Sequence, residues 1–354
     1  MKKIAIVGHF GFGKNLLNGQ TIKTKVLAEA LKEQIGEDNV FCVDTHGRIK
    51  MLIKLILKMP LVLKRSDDII MLPAHNGVLI FTPLLSFFNK FTKKNLHYVV
   101  IGGWLPEYLD KHKFTAKLLR KSFKGIYVET SVMKRDLQKL NFGNIHILPN
   151  YKNIKCLTKE ELCEVIGSPI KACTFSRVTE KKGIVDAIKA VLDINKESGK
   201  TVITLDIYGY VDEIFKPEFE MLMTNVPNYI KYKGTVDFDK TVQTLKNYDL
   251  QLFPTKFKTE GIPGSVVESF FAGVPVVASR WNSFDDVIDD GVTGIGFEFG
   301  NYADFKDKLQ ILISEYESIN QMKINCIGVA KEYREQSLMG LKKYFEKGYD
   351  LCGT

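Results

Sequence analysis

No run in the 354 residues is apolar over the roughly 20 positions that a membrane-spanning helix needs, and the stretch from Gly77 to Phe88 is shorter and holds Pro83. Met1-Lys2-Lys3 leads straight into Ile4–Val7, only four apolar residues before Gly8, which predicts no secretory leader. The six cysteines (Cys42, Cys156, Cys163, Cys173, Cys326 and Cys352) include no Cys-x-x-Cys pair. They are expected to be separate, reduced thiols rather than a disulfide frame or a zinc site. With 45% apolar and 26% charged residues, disorder and collagen are excluded and a cytoplasmic globular protein of two ordinary domains is expected.

Acidic residues are scarce in the first part of the chain. Residues 1–155 hold 26 of the 50 Lys and Arg but only 11 of the 41 Asp and Glu, a net of +15 that leaves −6 for the rest. A basic half joined to an acidic half points to an anionic partner for the basic half. Two segments, 48–65 and 111–124, each carry six cations and no acid. In the first, Lys50, Lys54 and Lys58 recur every four residues, with Met51, Leu52, Leu55, Ile56 and Met59 on the other side of a helix. Long apolar side chains beside lysine suit an anionic membrane surface. Nucleic acid is not expected, because no nucleic-acid-binding motif accompanies the charge.

The chain alternates strand and helix twice. Apolar runs at Ile4–Val7, Val40–Val43, Ile69–Leu72, His97–Ile101, Ile126–Val128 and Ile145–Leu148 predict strands, with a clear helix over Ile22–Ile35. After Pro149-Asn150 and an irregular stretch from Tyr151 to Pro169, strands are expected at Ala172–Phe175, Ile203–Ile207, Tyr229–Tyr232, Leu250–Phe253 and Val274–Ala278. This rhythm predicts an α/β protein of two Rossmann-like, doubly wound parallel sheets, with ligands bound in an interdomain cleft at the carboxyl ends of the strands. The expected divisions are 1–155, 156–335 and a C-terminal helix, 336–354, with the terminal helices from Asn301 onward returning to the first domain.

Gly8-His-Phe-Gly-Phe-Gly13-Lys14-Asn15 nearly spells a P-loop but lacks the hydroxyl that would ligate magnesium. A turn whose amides approach a phosphate explains its glycines better.

The specific signal lies between Pro254 and Ser279. Pro263 stands where a helix would begin, and Gly264 and Ser265 would leave free amides at its N-terminus, a place that binds a diphosphate. Glu260 and Glu268, with seven residues between them, stand in the loop and about one turn into the helix. Both carboxylates can accept hydrogen bonds from hydroxyls of a ligand lying across the helix start, one from a sugar and one from a ribose.

Glu260-x7-Glu268 in its Gly261-Ile262-Pro263-Gly264 setting resembles the signature of the retaining glycosyltransferases of family 4, which have the GT-B fold. Phe175-Ser176-Arg177-Val178-Thr179-Glu180-Lys181-Lys182-Gly183 is similar to the family stretch whose Arg and Lys grip the donor diphosphate, which implies that role for Arg177 and Lys182. Asn18-Gly19-Gln20-Thr21 is similar to the family's glycine loop, so Gly19 would face the donor phosphates. Pro149-Asn150 resembles the family's domain-closing dipeptide. Asp206-Ile-Tyr-Gly209 and Lys233-Gly234-Thr235 fit the loops around the base. The whole set resembles capsular or exopolysaccharide-type transferases.

The resemblance implies a retaining transfer from a UDP- or GDP-sugar to a lipid-linked diphosphate saccharide, at the inner face of the cytoplasmic membrane. Arg177, Lys182 and the helix amides stabilise the leaving diphosphate, so no metal and no other cofactor is expected. Many family members carry a histidine at the end of the fourth strand, where this chain has Gly102-Gly103-Trp104. His75, after the preceding strand, together with Gly103 and Trp104, is the candidate acceptor contact. The alternatives are a nucleotide-sugar-binding protein without turnover and a GT-B phosphorylase or epimerase.

Overall fold

The computed structural model describes residues 2–13, 19–47, 49–150, 152, 154–341 and 343, with backbone only at 49–55 and 338. Asn18, Lys14, Asn15, the side chains of Lys50, Met51, Leu52, Lys54 and Leu55, Cys352 and the last turns of the expected C-terminal helix lie outside the described residues. The chain divides into two compact units, Met1–Asn153 with Arg334–Thr354, and Ile154–Tyr333.

Unit 1 runs β1 (Ile4–Gly8), α1 (Gly19–Ile35), β2 (Val40–Asp44), α2 (Ile49–Arg65), β3 (Asp68–Met71), α3 (His75–Thr92), β4 (Asn95–Val99), α4 (Leu105–Lys111), α5 (Lys113–Ser122), β5 (Gly125–Val128), α6 (Ser131–Lys139) and β6 (Ile145–Ile147). Its six strands are parallel in the order β2-β1-β3-β4-β5-β6. Every residue of β1 and β3 is buried, as expected of a parallel sheet covered on both faces. One face holds Leu27, Ala28 and Leu31 of α1 with Leu341; the other holds Met59 and Leu63 of α2, Val78 and Leu85 of α3, and Leu119 of α5. The 111–124 segment is not one helix: it breaks at His112, between α4 and α5.

Unit 2 runs β7 (Ile170–Phe175), α7 (Ile184–Ser198), β8 (Ile203–Tyr208), α8 (Lys216–Thr224), β9 (Ile230–Gly234), α9 (Thr241–Leu245), β10 (Leu250–Phe253), α10 (Gly264–Phe271), β11 (Val276–Ser279), β12 (Gly294–Phe297), α11 (Tyr302–Ser314) and α12 (Tyr316–Leu341). The order is β12-β11-β10-β7-β8-β9, again all parallel. The sequence pattern misses β12, an edge strand whose Gly-Ile-Gly-Phe composition has little intrinsic strand preference. It also places the return of the chain too early. Phe305 and Leu309 of α11 and Ile319 and Met322 of α12 pack in unit 2, and only from Arg334 does the chain group with unit 1.

In each sheet the chain winds one way and then the other from a central strand. In unit 2, β7 leads to β8 and β9 on one side, while β10 to β12 fill the other. The switch point is therefore the gap between β7 and β10, where open α/β sheets take their ligands.

Candidate functional site

The loops after β7 and β10 leave the sheet on either side of that gap, and two contacts tie them together. The amide of Lys256 donates to the carbonyl of Lys181 (2.8 Å). Gly183, at φ +72°, lies against Pro254 so closely that an added Cβ would sit 1.9 Å from its carbonyl oxygen. Only glycine fits there on both counts. The turn that carries Lys182 is thus pinned to the loop that carries Glu260.

The ammonium of Lys182 meets Glu260 Oε1 in an ion pair whose side chains are only 18% and 16% exposed. Thr255 Oγ1 donates to the same carboxylate oxygen (3.2 Å). Lys182 Nζ also lies over the ring of Phe253 at 4.9 Å from its centroid. A half-buried cation held by an aromatic face and a carboxylate keeps a fixed position, and it can exchange partners with an incoming anion.

Pro263 caps α10, its extended backbone placing Gly264 and Ser265 in the first turn. The amides of Val266 and Val267 both turn back to the Pro263 carbonyl (3.1 and 3.3 Å), while those of Gly264 and Ser265 find no acceptor among the described residues. Gly261, Ile262 and Pro263 are buried, and Glu268 is buried one turn into the helix. Ser269 of α10 donates its hydroxyl to Gln251 of β10, both fully buried, which fixes the helix against the strand that leads into it.

Beside this lies a second group. Arg177 follows β7, and its half-exposed guanidinium lies 4.0 Å from Asp212. Gly209, at φ +134°, leaves no room for a Cβ, which would meet the Ser176 carbonyl oxygen at 1.8 Å. Its amide donates to the Gly234 carbonyl (2.8 Å). Lys233 Nζ is 3.9 Å from Asp206, whose carboxylate accepts from the Tyr248 hydroxyl (2.7 Å). The carboxyl edges of β7, β8, β9 and β10 therefore carry Arg177, Lys182, Gly209, Lys233, Gly234 and Glu260 along one rim.

In unit 1, Gly19 opens α1, and His75 opens α3 after β3. The His75 ring stacks on Trp104 at 3.9 Å between centroids and 22° between planes, with Tyr108 edge-on at 5.5 Å. Trp104 donates its indole N–H to the Ile101 carbonyl (2.7 Å), so the ring pair is fixed. Partial burial lowers the His75 pKa, favouring a neutral imidazole. Adjacency of β3 and β4 thus brings an imidazole to the end of the fourth strand from a different position in the sequence.

One arrangement has no counterpart in the sequence reading. His9 Nδ1 bonds Thr21 Oγ1 (2.7 Å) and His9 Nε2 bonds His46 Nδ1 (2.8 Å). Asp44 accepts the amides of Phe10, Phe12 and His46 (2.9, 2.9 and 2.8 Å). Burial first, and then His46, lowers the His9 pKa. The two histidines are 37 residues apart, and only the pairing of β1 with β2 joins them.

Residues 164–327 match the family model Glycosyl transferases group 1, a stretch that includes Arg177, Lys182, Glu260 and Glu268. The chain is 26% identical over 238 residues to the Uncharacterized glycosyltransferase MJ1069 of Methanocaldococcus jannaschii, covering 65% of this chain and 57% of that protein. It is 26% identical over 161 residues to the Amylovoran biosynthesis glycosyltransferase AmsK of Erwinia amylovora, covering 44% and 38%. The match thus takes in little more than half of the first relative and less of the second. Among solved structures, Anabaena HepE in complex with UDP-glucose is similar at TM-score 0.74 and 13% identity over 98% of this chain and 100% of that one. Sucrose-phosphate synthase of Thermosynechococcus elongatus is similar at TM-score 0.74 and 12% identity, over 98% of each. Two six-stranded parallel sheets and these neighbours define the fold as GT-B.

Proposed function

We propose that this chain is a retaining, metal-independent glycosyltransferase. It moves a sugar from a nucleoside-diphosphate donor, UDP before GDP, to a lipid-linked diphosphate saccharide in cell-surface polysaccharide synthesis. The observation that carries the reading is the Lys182–Glu260 pair at the switch point beside the open amides of α10. It sets a cation, an accepting carboxylate and a helix N-terminus side by side, the groups that an activated sugar's diphosphate and hydroxyls need. The UDP-glucose complex of HepE supports the choice of UDP, and similarity to AmsK supports the polysaccharide role.

The chemistry follows from charge. The bond between the anomeric carbon and the diphosphate oxygen breaks, and its electron pair leaves with the diphosphate. Arg177, Lys182 and the amides of Gly264 and Ser265 take up that negative charge, so the account uses no metal. The acceptor hydroxyl bonds to the anomeric carbon on the face the diphosphate leaves, and its proton passes to the departing phosphate oxygen. Glu260 holds a sugar hydroxyl and Glu268 the ribose. Gly209, Lys233 and Gly234 border the base, while His75, Gly103 and Trp104 of unit 1 meet the acceptor. The enzyme works on the anionic cytoplasmic leaflet, held there by basic segments 48–65 and 111–124. No helix among the described residues is long and apolar enough to cross a membrane.

The test is turnover of a panel of UDP- and GDP-sugars, with product configuration read by NMR. Transfer or slow hydrolysis with retained configuration supports the reading. Inverted product contradicts the mechanism, and binding without turnover of any sugar favours a nucleotide-sugar-binding protein.

A further inference from the structure

Three helices on one face of the unit 1 sheet contain no Asp or Glu at all: α2, α3 and α5. All three use one side for the core, through Met59 and Leu63, Val78, Phe81 and Leu85, and Ala116 and Leu119. A helix in a water-soluble unit normally presents polar residues on its other side. Here that side is apolar as well. Leu57 is 74% exposed on α2, Phe87 is 54% and Phe91 76% exposed on α3, and Phe114 is 67% exposed on α5. On α3 the positions 80, 84, 87 and 91 follow helical spacing, so Ile80, Leu84, Phe87 and Phe91 form one stripe, and Phe87 contacts Phe91 edge-on at 5.8 Å. Contiguous exposed apolar surface of this kind marks a binding face.

Charge identifies the occupant. Lys58, Lys64, Arg65, Lys90, Lys117 and Lys121 stand exposed on these same helices, and none enters an ion pair among the described residues. A phosphate backbone would match the cations but has no use for Leu57, Leu61 or Ile80. A second copy of the face would set like charges against each other. A bilayer with anionic headgroups matches both features, since acyl chains receive the apolar side chains while headgroup phosphates meet the ammonium groups.

We propose that α2, α3 and α5 seat on an anionic lipid bilayer, with the stripe Ile80, Leu84, Phe87 and Phe91 of α3 entering the boundary between headgroups and acyl chains. This deepens the membrane part of the function above and rests on it. It makes α3, which is outside both basic segments, the inserting element, with α2 and α5 as flanking electrostatic contacts.

The experiment is flotation of the full chain with phosphatidylcholine vesicles and with vesicles containing phosphatidylglycerol, each at low and high salt. Phe87→Ser/Phe91→Ser and Lys117→Glu/Lys121→Glu are compared with wild type. Wild type should float only with the anionic vesicles and keep part of its binding at high salt. The aromatic variant should lose that salt-resistant part, by about tenfold in partitioning, and the charge variant should lose the low-salt part. Equal flotation of the aromatic variant and wild type overturns the proposal. So does a wild-type dimer that the aromatic substitutions dissolve without change in vesicle binding. Each preparation is also tested for stabilisation by UDP: a protein stabilised by UDP but indifferent to vesicles overturns the surface assignment alone and leaves the donor site standing.

Discussion

Lys182 and Glu260 stand 78 residues apart in sequence, yet their charges meet across the gap between β7 and β10. Each is delivered by a loop that leaves the carboxyl end of its own strand, and the Gly183–Pro254 approach locks one loop to the other. The contact makes two kinds of loss separable, because one partner's removal leaves the other charge half buried.

Lys182→Ala should therefore lower both turnover and stability. Loss of a diphosphate contact is worth about 3 kcal/mol in the transition state, and an unpaired carboxylate in a largely covered position adds a folding cost. Arg177→Ala should lower turnover on a similar scale while leaving the melting temperature almost unchanged, because the exposed Arg177–Asp212 pair contributes about 0–1 kcal/mol. Steady-state kinetics and thermal melts on both variants check this. Normal turnover in either removes that residue from the diphosphate site.

Glu260→Gln frees the ammonium of Lys182 and removes an acceptor for the sugar. UDP alone should bind at least as well as to wild type, while the extra affinity for a UDP-sugar over UDP falls and turnover drops. Titration calorimetry with the two ligands measures the difference. Weaker UDP binding in this variant would mean that the carboxylate serves the nucleotide rather than the sugar.

Gly183→Ala should destabilise the protein by about 1–3 kcal/mol, because the residue is held at positive φ against a backbone carbonyl. UDP-induced stabilisation should fall with it, since Lys182 is the preceding residue. A melt unchanged from wild type would contradict the pinning of the two loops.

Stability should fall as pH drops from neutral through 6.5 and below. Burial lowers the pKa values of His9, His75 and His146 from 6.5, so the unfolded chain takes up protons first, and stability present above 6.5 is lost on acidification. Asp68 acts in a separate window. Burial opposes its charge, but the nearby His97 ring, the Lys2 ammonium and the hydrogen bond from Asn95 outweigh that and hold its pKa at about 2. Its contribution is therefore lost only as pH falls from 3.8 through about 2. Melting temperature against pH, with and without His9→Asn, resolves the first window.

The strands of both units are readable in the sequence because a sheet buried on both faces needs unbroken apolar runs, as in Ile4–Val7 and Leu250–Phe253. β12 is not, because its two glycines give no such signal. Lys182 and Glu260 are each identifiable from local motif, but their contact depends on strand order. The His9–His46 pair needs β1 beside β2, and nothing in the spacing announces it. The α3 stripe is hidden for another reason. Its apolar residues are as regular as those of a core helix, and only their exposure distinguishes surface from core.

The central claim is that the cations after β7 grip an activated sugar's diphosphate while the carboxylate before α10 holds its sugar. The direct measurement is the shift in melting temperature on saturation with UDP, compared between wild type, Lys182→Ala and Arg177→Ala. A ligand that binds only the folded chain raises its stability. A clear upward shift in wild type, absent or strongly reduced in both variants, is the expected result. A shift of equal size in all three proteins would contradict the account.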